Sequence, residues 1–196
     1  RSNTVTMTTD TQLPTIAVSS SKSTLKAGDT ATISFTLSEA STDFTQSDVT
    51  VTGGTLSNFS GSGTSYTATF TPTAGSNANS VISVASNTFS DPVGNLNQDG
   101  AETNNTVTMI TDTSPPTIAL SSDKSSLKAG DTATITFTLS EASTDFTAAD
   151  VTVTGGTLSN FSGSGNTYTA TFTPTPGSNV SGFISVASST FSDAVG

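Results

Sequence analysis

Residues 15–94 of this chain recur without a gap as residues 117–196. Thr15-Ile-Ala is matched by Thr117-Ile-Ala, and Asn3-Thr-Val-Thr-Met7 by Asn105-Thr-Val-Thr-Met109, at one spacing of 102 positions (105 − 3). Of the 80 aligned positions 15 differ, among them Val18/Leu120, Ser34/Thr136, Gln46/Ala148 and Val81/Phe183. Near-identity at a fixed period is the mark of a tandem array, so whatever fold one copy adopts the other must adopt too. In a chain of 196 residues the repeat implies two domains of roughly 100 residues, each able to bury a small core.

The seam between the copies is Ile110-Thr-Asp112-Thr-Ser114-Pro115-Pro116-Thr-Ile118. Pro115 and Pro116 fix their own φ and hold the residue before each in extended conformation, which predicts a short, stiff connector. The expected organisation is residues 1–9 as the final strand of a preceding repeat, 10–111 as a first repeat and 112–196 as a second.

Inside a repeat the apolar period is two. In Ala31-Thr-Ile33-Ser-Phe35-Thr-Leu37 the apolar side chains take one face and the hydroxyls the other, the pattern of a half-buried antiparallel strand. Similar runs at 15–20, 48–52, 66–71, 81–85 and 106–110 are separated by breaks such as Gly53-Gly54, Gly61-Ser-Gly63 and Pro72-Thr-Ala-Gly75. A further short edge strand is expected at Thr55–Phe59, with Leu56 and Phe59 covering the sandwich end. No window has a helical period. Six or seven short strands per repeat predict an all-β chain of two tandem β-sandwiches.

Composition narrows the function. The chain has no Cys and no His, which removes thiol and imidazole nucleophiles, histidine general bases, Cys/His zinc sites and disulfides. Fifteen Asp and Glu against five Lys and Arg give a net charge of −10, which repels nucleic acid and anionic membranes and favours hard cations such as Ca²⁺. No apolar run approaches the ~20 residues of a membrane span. The chain begins in mid-repeat without a basic and apolar leader, so export signals are expected outside it. An enzyme is the least expected reading.

The segments Asp43-Phe44-Thr-Gln-Ser-Asp48-Val-Thr-Val-Thr-Gly-Gly54, Thr55-Leu-Ser-Asn-Phe59 and Phe89-Ser-Asp91-Pro-Val-Gly94-Asn95, with the Asp-x-x-x-Pro joint, resemble the bacterial immunoglobulin-like tandem repeats of giant, type I-secreted (RTX-type) surface adhesins. The resemblance covers nearly the whole chain. It implies two immunoglobulin-like sandwiches acting as extracellular extender repeats on the bacterial cell surface. Their partners would be neighbouring identical repeats, their joints would often be rigidified by Ca²⁺, and a distal domain would do the binding. The copies lack the Cys pair and Trp of antibody-type domains, so only the sandwich architecture carries over.

With immunoglobulin strand order, Glu39 and Asp43 after the second strand and Asp91, Asn95, Asn97 and Asp99 before the last would lie at the pole where Asp10 arrives. Clustered carboxylates repel unless a cation neutralises them, and Ca²⁺ takes about six to eight oxygens. The second repeat would gather Asp112, Glu141, Asp145 and Asp193, and Asp29 could reach towards that joint. The contrary reading makes all of these solvated solubility charges. Asp48 and Asp150 are expected to pin strand starts.

A second functional reading keeps the repeats as modules that themselves bind a glycan or protein. Such a module would want exposed aromatic side chains, whereas Tyr66 and Tyr168 fall on predicted inward faces and Trp is absent. Threonines spaced by two suit an ordinary solvent face better than an ice-binding array. Lys22, Lys26, Lys124 and Lys128 flank turns outside the apolar faces, which argues against a buried isopeptide crosslink. Finally, residues 3–7 repeat a final strand that residues 112–196 do not contain. Two readings stay open: residues 3–7 donate that strand to a neighbouring molecule, head to tail, or residues 1–9 are a loosely held tail and the open edge is tolerated.

Overall fold

Strands form where apolar and hydroxyl side chains alternate, as the computed structural model shows over residues 3–99 and 102–196. The chain divides after Ser114 into two units.

The first unit contains β1 (Ile16–Ser20), β2 (Thr24–Leu25), β3 (Ala31–Ser41), β4 (Val49–Thr52), β5 (Gly54–Pro72), β6 (Ser80–Val84) and β7 (Thr106–Thr111). They form two sheets, ordered β1-β3-β5 and β2-β7-β6-β4. All pairings are antiparallel except that of the short β2, which runs parallel to β7. Ala31, Ile33, Phe35 and Leu37 of β3 point inwards and are buried, with Phe35 opposite Tyr66 in the register with β5. From the other sheet Ile82, Val84 and Met109 meet them, also fully buried. One end of the core is aromatic: the Phe44 ring lies 5.1 Å from both Tyr66 and Phe89, centroid to centroid, edge to face. Edge-to-face pairs of this kind contribute roughly 0.5–1.5 kcal/mol beyond the area they bury.

Thr55–Phe59 is not a separate edge strand. It is the first arm of a hairpin contained within β5, tied to the second arm by Thr73 N–H donating to the Gly53 carbonyl (2.9 Å) and Ser57 Oγ donating to that of Thr69 (3.4 Å). The turn depends on Gly61, at φ +143°, where a Cβ would collide with the Ser65 carbonyl. The Gly-Ser-Gly break thus reverses the chain without ending the pairing. The fold brings Phe59 to 5.6 Å from Phe44, inside the aromatic cluster.

The second unit repeats this plan with β8 (Ile118–Ser122), β9 (Ala133–Ser143), β10 (Val151–Thr154), β11 (Gly156–Pro174) and β12 (Phe183–Val186). Its sheets are ordered β8-β9-β11 and β10-β12. Phe137, the counterpart of Phe35, is fully buried at its centre. Residues 126–127, the counterparts of β2, form no strand, because β2 in the first unit is held by pairing Thr24 with Ile110 and Leu25 with Thr111.

In both units a single 3₁₀ turn precedes the fourth strand of the plan. Asp48 accepts the Thr45 N–H at 2.7 Å, and Asp150 accepts that of Thr147 at the same distance, so both carboxylates fix the entry to a strand. No helix among the described residues is long and apolar enough to cross a membrane.

Candidate functional site

Counting by two along β3 from Phe35 and Leu37 leads to Glu39, so the alternation that builds the core also turns a carboxylate towards the sandwich end. Glu39 is half-buried, and its Oε1 is buried without a hydrogen-bond partner among the described residues. Burial pushes the Glu39 carboxyl above its ordinary value, and the charges of Asp10 and Asp91 push the same way. One carboxylate oxygen from each of Asp10, Glu39 and Asp91 lies within 4.8 Å of the other two.

Asp91 reaches this place from the loop after β6 and is almost fully buried. Its Oδ1 accepts the N–H groups of Val93, Gly94 and Asn95 at 2.7–2.9 Å, and Oδ2 accepts Asn95 Nδ2 at 2.7 Å. Burial raises this carboxyl, but the Asn95 bonds and those from Val93 and Gly94 outweigh it and leave it below the ordinary value. Asp91 is therefore held as an anion, and Oδ2, with one donor, retains accepting capacity. Asp10 arrives from the segment before β1, its side chain accepting the Gln12 N–H at 3.1 Å and its carbonyl accepting Asn95 Nδ2 at 3.2 Å. Asn95 thus links two members of the cluster through its amide.

Other residues expected at this pole have different partners. Asp43 accepts the Ser90 N–H (2.9 Å), the Ser90 hydroxyl (2.7 Å) and the Ser41 hydroxyl (2.7 Å), joining the end of β3 to the loop after β6. Burial raises its carboxyl, yet those bonds bring it below the ordinary value. Asp99 accepts the Ile16 N–H at 2.7 Å, pinning the start of β1. Asn97 is fully buried, its Oδ1 accepting from Thr88 and Phe89 N–H and its Nδ2 donating to the Ala85 carbonyl, so it bolts the loop to itself. Asp29 is ion-paired with Lys22 at 2.8 Å and accepts the Lys26 N–H. The Lys22 bond, then that of Lys26, holds it below the ordinary value. Asp29 and Asp43 lie outside the three-carboxylate cluster.

In the second unit Glu141 and Asp193, counterparts of Glu39 and Asp91, bring one oxygen each within 4.8 Å. Asp193 accepts the N–H groups of Val195 and Gly196 as Asp91 does those of Val93 and Gly94. Asp145 repeats Asp43: the Ser192 N–H, then the Ser192 and Ser143 hydroxyls, lower its carboxyl to about 2. Asp112, the counterpart of Asp10 in the repeat, belongs to the first unit, where its N–H donates to the Leu25 carbonyl and its carboxylate accepts the Ser114 N–H.

What this arrangement can do chemically is hold a hard cation. Three carboxylates converge, Asp91 is bonded by three backbone donors, and Glu39 carries a buried oxygen with no hydrogen-bond partner among the described residues. Ca²⁺ fits that donor set, with carbonyl oxygens and water able to complete about six to eight ligands. Sequence reasoning named these three residues but missed Ser90 and Ser192, whose bonds claim Asp43 and Asp145. Their only signal is a place beside Asp91 and Asp193.

Residues 10–108 and 112–196 each match the family described as Bacterial Ig-like domain. No curated protein matches the chain.

Proposed function

Because the chain belongs to the bacterial Ig-like domain family, whose members are typically non-catalytic structural modules and often extracellular repeats, we propose that its two units are extender repeats of a bacterial surface adhesin or biofilm protein. In this reading the repeats carry no activity of their own. They stand outside the cell and hold a distal binding domain away from it.

The observation that carries the reading is the way each unit grips its end of the connector. Thr113 donates its N–H to the Ser76 carbonyl and its hydroxyl to that of Thr73 (2.6 Å), while Ser114 Oγ donates to Asn77. On the other side Thr117 N–H donates to Ser140 Oγ (2.8 Å), and the Ser140 N–H returns to the Thr117 carbonyl. Between these anchored residues stand only Pro115 and Pro116, whose φ angles are fixed by their rings. A connector with so few soft dihedrals is short and stiff, as an extender requires.

Ca²⁺ is the second element of the proposal. Asp10, Glu39 and Asp91 would hold it in the first repeat, and Asp112, Glu141 and Asp193 are the corresponding residues of the second. The ion would supply charge neutralisation and fix the chain entering the first repeat. The partnerless Glu39 oxygen favours this over a purely solvating role for the cluster. A repeat that itself binds glycan finds less support, since Tyr66 and Tyr168 are buried, each donating its hydroxyl to a backbone carbonyl of the same unit.

A calcium titration followed by thermal melting tests the metal reading. Extracellular Ca²⁺ modules often bind at about 10⁻⁴–10⁻³ M, so low-millimolar Ca²⁺ raises Tm and chelator reverses the rise. Glu39→Gln removes the first unit's response while leaving the calcium-free protein at least as stable. Identical melting in chelator and in saturating Ca²⁺ would remove the metal from the proposal.

A further inference from the structure

The Gly-Ser-Gly break that turns the β11 hairpin leaves a hollow beside the aromatic end of the second core. It is a groove of about 450 Å³, within the roughly 300–1,000 Å³ of small-molecule sites. The buried Phe146 and Tyr168 and the half-buried Phe161 line it from the core; Thr144, from the turn after β9, and Ser164 and Gly165, from the hairpin tip, line it from outside. Phe161 is held by three other rings, stacked on Tyr168 at 5.7 Å and lying 5.6 Å from Phe146 and 5.8 Å from Phe137. A ring so fixed, yet half-buried, offers a rigid apolar patch that loses little freedom when something lies on it.

The first unit has the same set of residues. Every residue lining the groove recurs 102 positions earlier, whereas Gln46/Ala148, Ser47/Ala149, Thr64/Asn166 and Ser65/Thr167, which adjoin those residues in sequence, differ. The ring geometry recurs too, with Phe59 at 5.8 Å from Tyr66 and 5.6 Å from Phe44.

The lining carries no charged side chain. Asp145, next to Thr144, is taken up by the Ser143 and Ser192 hydroxyls, and with the rest of a chain of net charge −10 it repels anions. A cation finds no carboxylate in the groove, and a wholly apolar ligand would cover hydroxyls and backbone without giving them partners. What fits is a neutral ring with an apolar face and a rim of hydroxyls. Thr144 and Ser164 are exposed, and their hydroxyls make no hydrogen bond among the described residues, so each is free to donate and accept. A Cβ at Gly165 would meet no atom within 4 Å, which leaves the backbone there open to a further contact.

We propose that this groove and its twin at Phe59 each bind an uncharged hexopyranose. The C–H face of the sugar lies on the phenylalanine, and its hydroxyls meet Thr144 and Ser164 in the second unit or Thr42 and Ser62 in the first. The buried tyrosine backs the groove and is not its platform. Two weak, equivalent sites on one chain add to the extender role without replacing it.

Amide shift mapping of the 196-residue chain tests the proposal. Methyl glucoside, methyl galactoside and methyl mannoside are titrated in turn to about 50 mM, well above a Kd of roughly 1–10 mM, with methyl glucuronide as the charged control. The expected result, for at least one neutral hexoside, is saturable shifts at residues 144–147 and 162–165 and at their counterparts 42–45 and 60–63, with the glucuronide bound far more weakly. Thr144→Val with Ser164→Ala changes two exposed positions and weakens the second unit's response by about tenfold or more, while the first unit's response persists in the same sample. Phe161→Leu removes the platform and abolishes the second unit's response; the hydroxyl variant decides the matter if the leucine loosens that core. No saturable shift with any of the three hexosides, shifts only outside these loops, equal binding of the glucuronide, or a second-unit response that survives loss of both hydroxyls would each overturn the proposal.

Discussion

Val84 of the first unit and Val186 of the second occupy the same place in nearly the same sequence, yet the first is fully buried and the second is not. Phe89 and Phe191 differ in the same way. The substitutions between the copies do not account for this, since both pairs are unchanged and 65 of 80 aligned positions are identical (80 − 15). The cover accounts for it. In the first unit β7 and the segment leading to it lie over the core edge, with Asp99 bonded to Ile16, Gln98 to Pro14 and the Asn104 carbonyl to Val18 N–H. Residues 15–94 and their copy therefore supply a three-stranded sheet, a hairpin and an aromatic end. Closure comes from the strand that follows.

The largest effect that can probe this comparison lies at the positions the two units share. Phe35→Ala and Phe137→Ala each remove a fully buried ring, and each is expected to cost about 3–5 kcal/mol in the unfolding of its own unit by denaturant. A loss below about 1 kcal/mol at either site would mean that the ring is not the centre of its core.

Met109→Ala separates the units. It empties a fully buried site of the first unit, so about 2–5 kcal/mol should be lost from that unit's transition while the other stays in place. Equal shifts of both transitions would break the comparison. Asn97→Ala acts at the loop: it leaves the buried N–H of Phe89 without its acceptor, at a cost of about 1–3 kcal/mol confined to the first unit.

The smallest effect is acid sensitivity at the exposed Asp145. Its carboxyl is lowered from 3.8 to about 2 by the Ser192 and Ser143 bonds, so the folded state favours the anion. That contribution is complete above pH 3.8 and is lost as pH falls through about 2. Asp145→Asn should flatten the acid side of the second unit's stability profile, and an unchanged slope between pH 4 and 2 would show that Ser192 does not hold the carboxylate.

Much of this was legible in the residues. Alternation gave β3 and placed Phe35, Tyr66 and the threonines on their faces, because a period of two is a local property. Non-local partners were not legible. Thr24-Leu25 forms a strand and Ser126-Leu127 does not, and the difference lies in β7, far along the chain. Asp43 read as a candidate ligand because its side chain is acidic and near the pole; the Ser90 hydroxyl that claims it arrives from another loop. Glu39 was legible further than it was read, since it continues the inward phase of Phe35 and Leu37, where a carboxylate needs a reason.

Amide hydrogen exchange, measured residue by residue in dilute protein, tests most directly whether the closing strand makes the difference. β6 lies between β4 and β7, whereas among the described residues β12 has β10 on one side only. Successive amides of Ile82–Val84 should all be protected, while those of Ile184–Val186 should alternate between slow and fast. Uniform and equal protection along both strands at a concentration where the chain is monomeric would contradict the account.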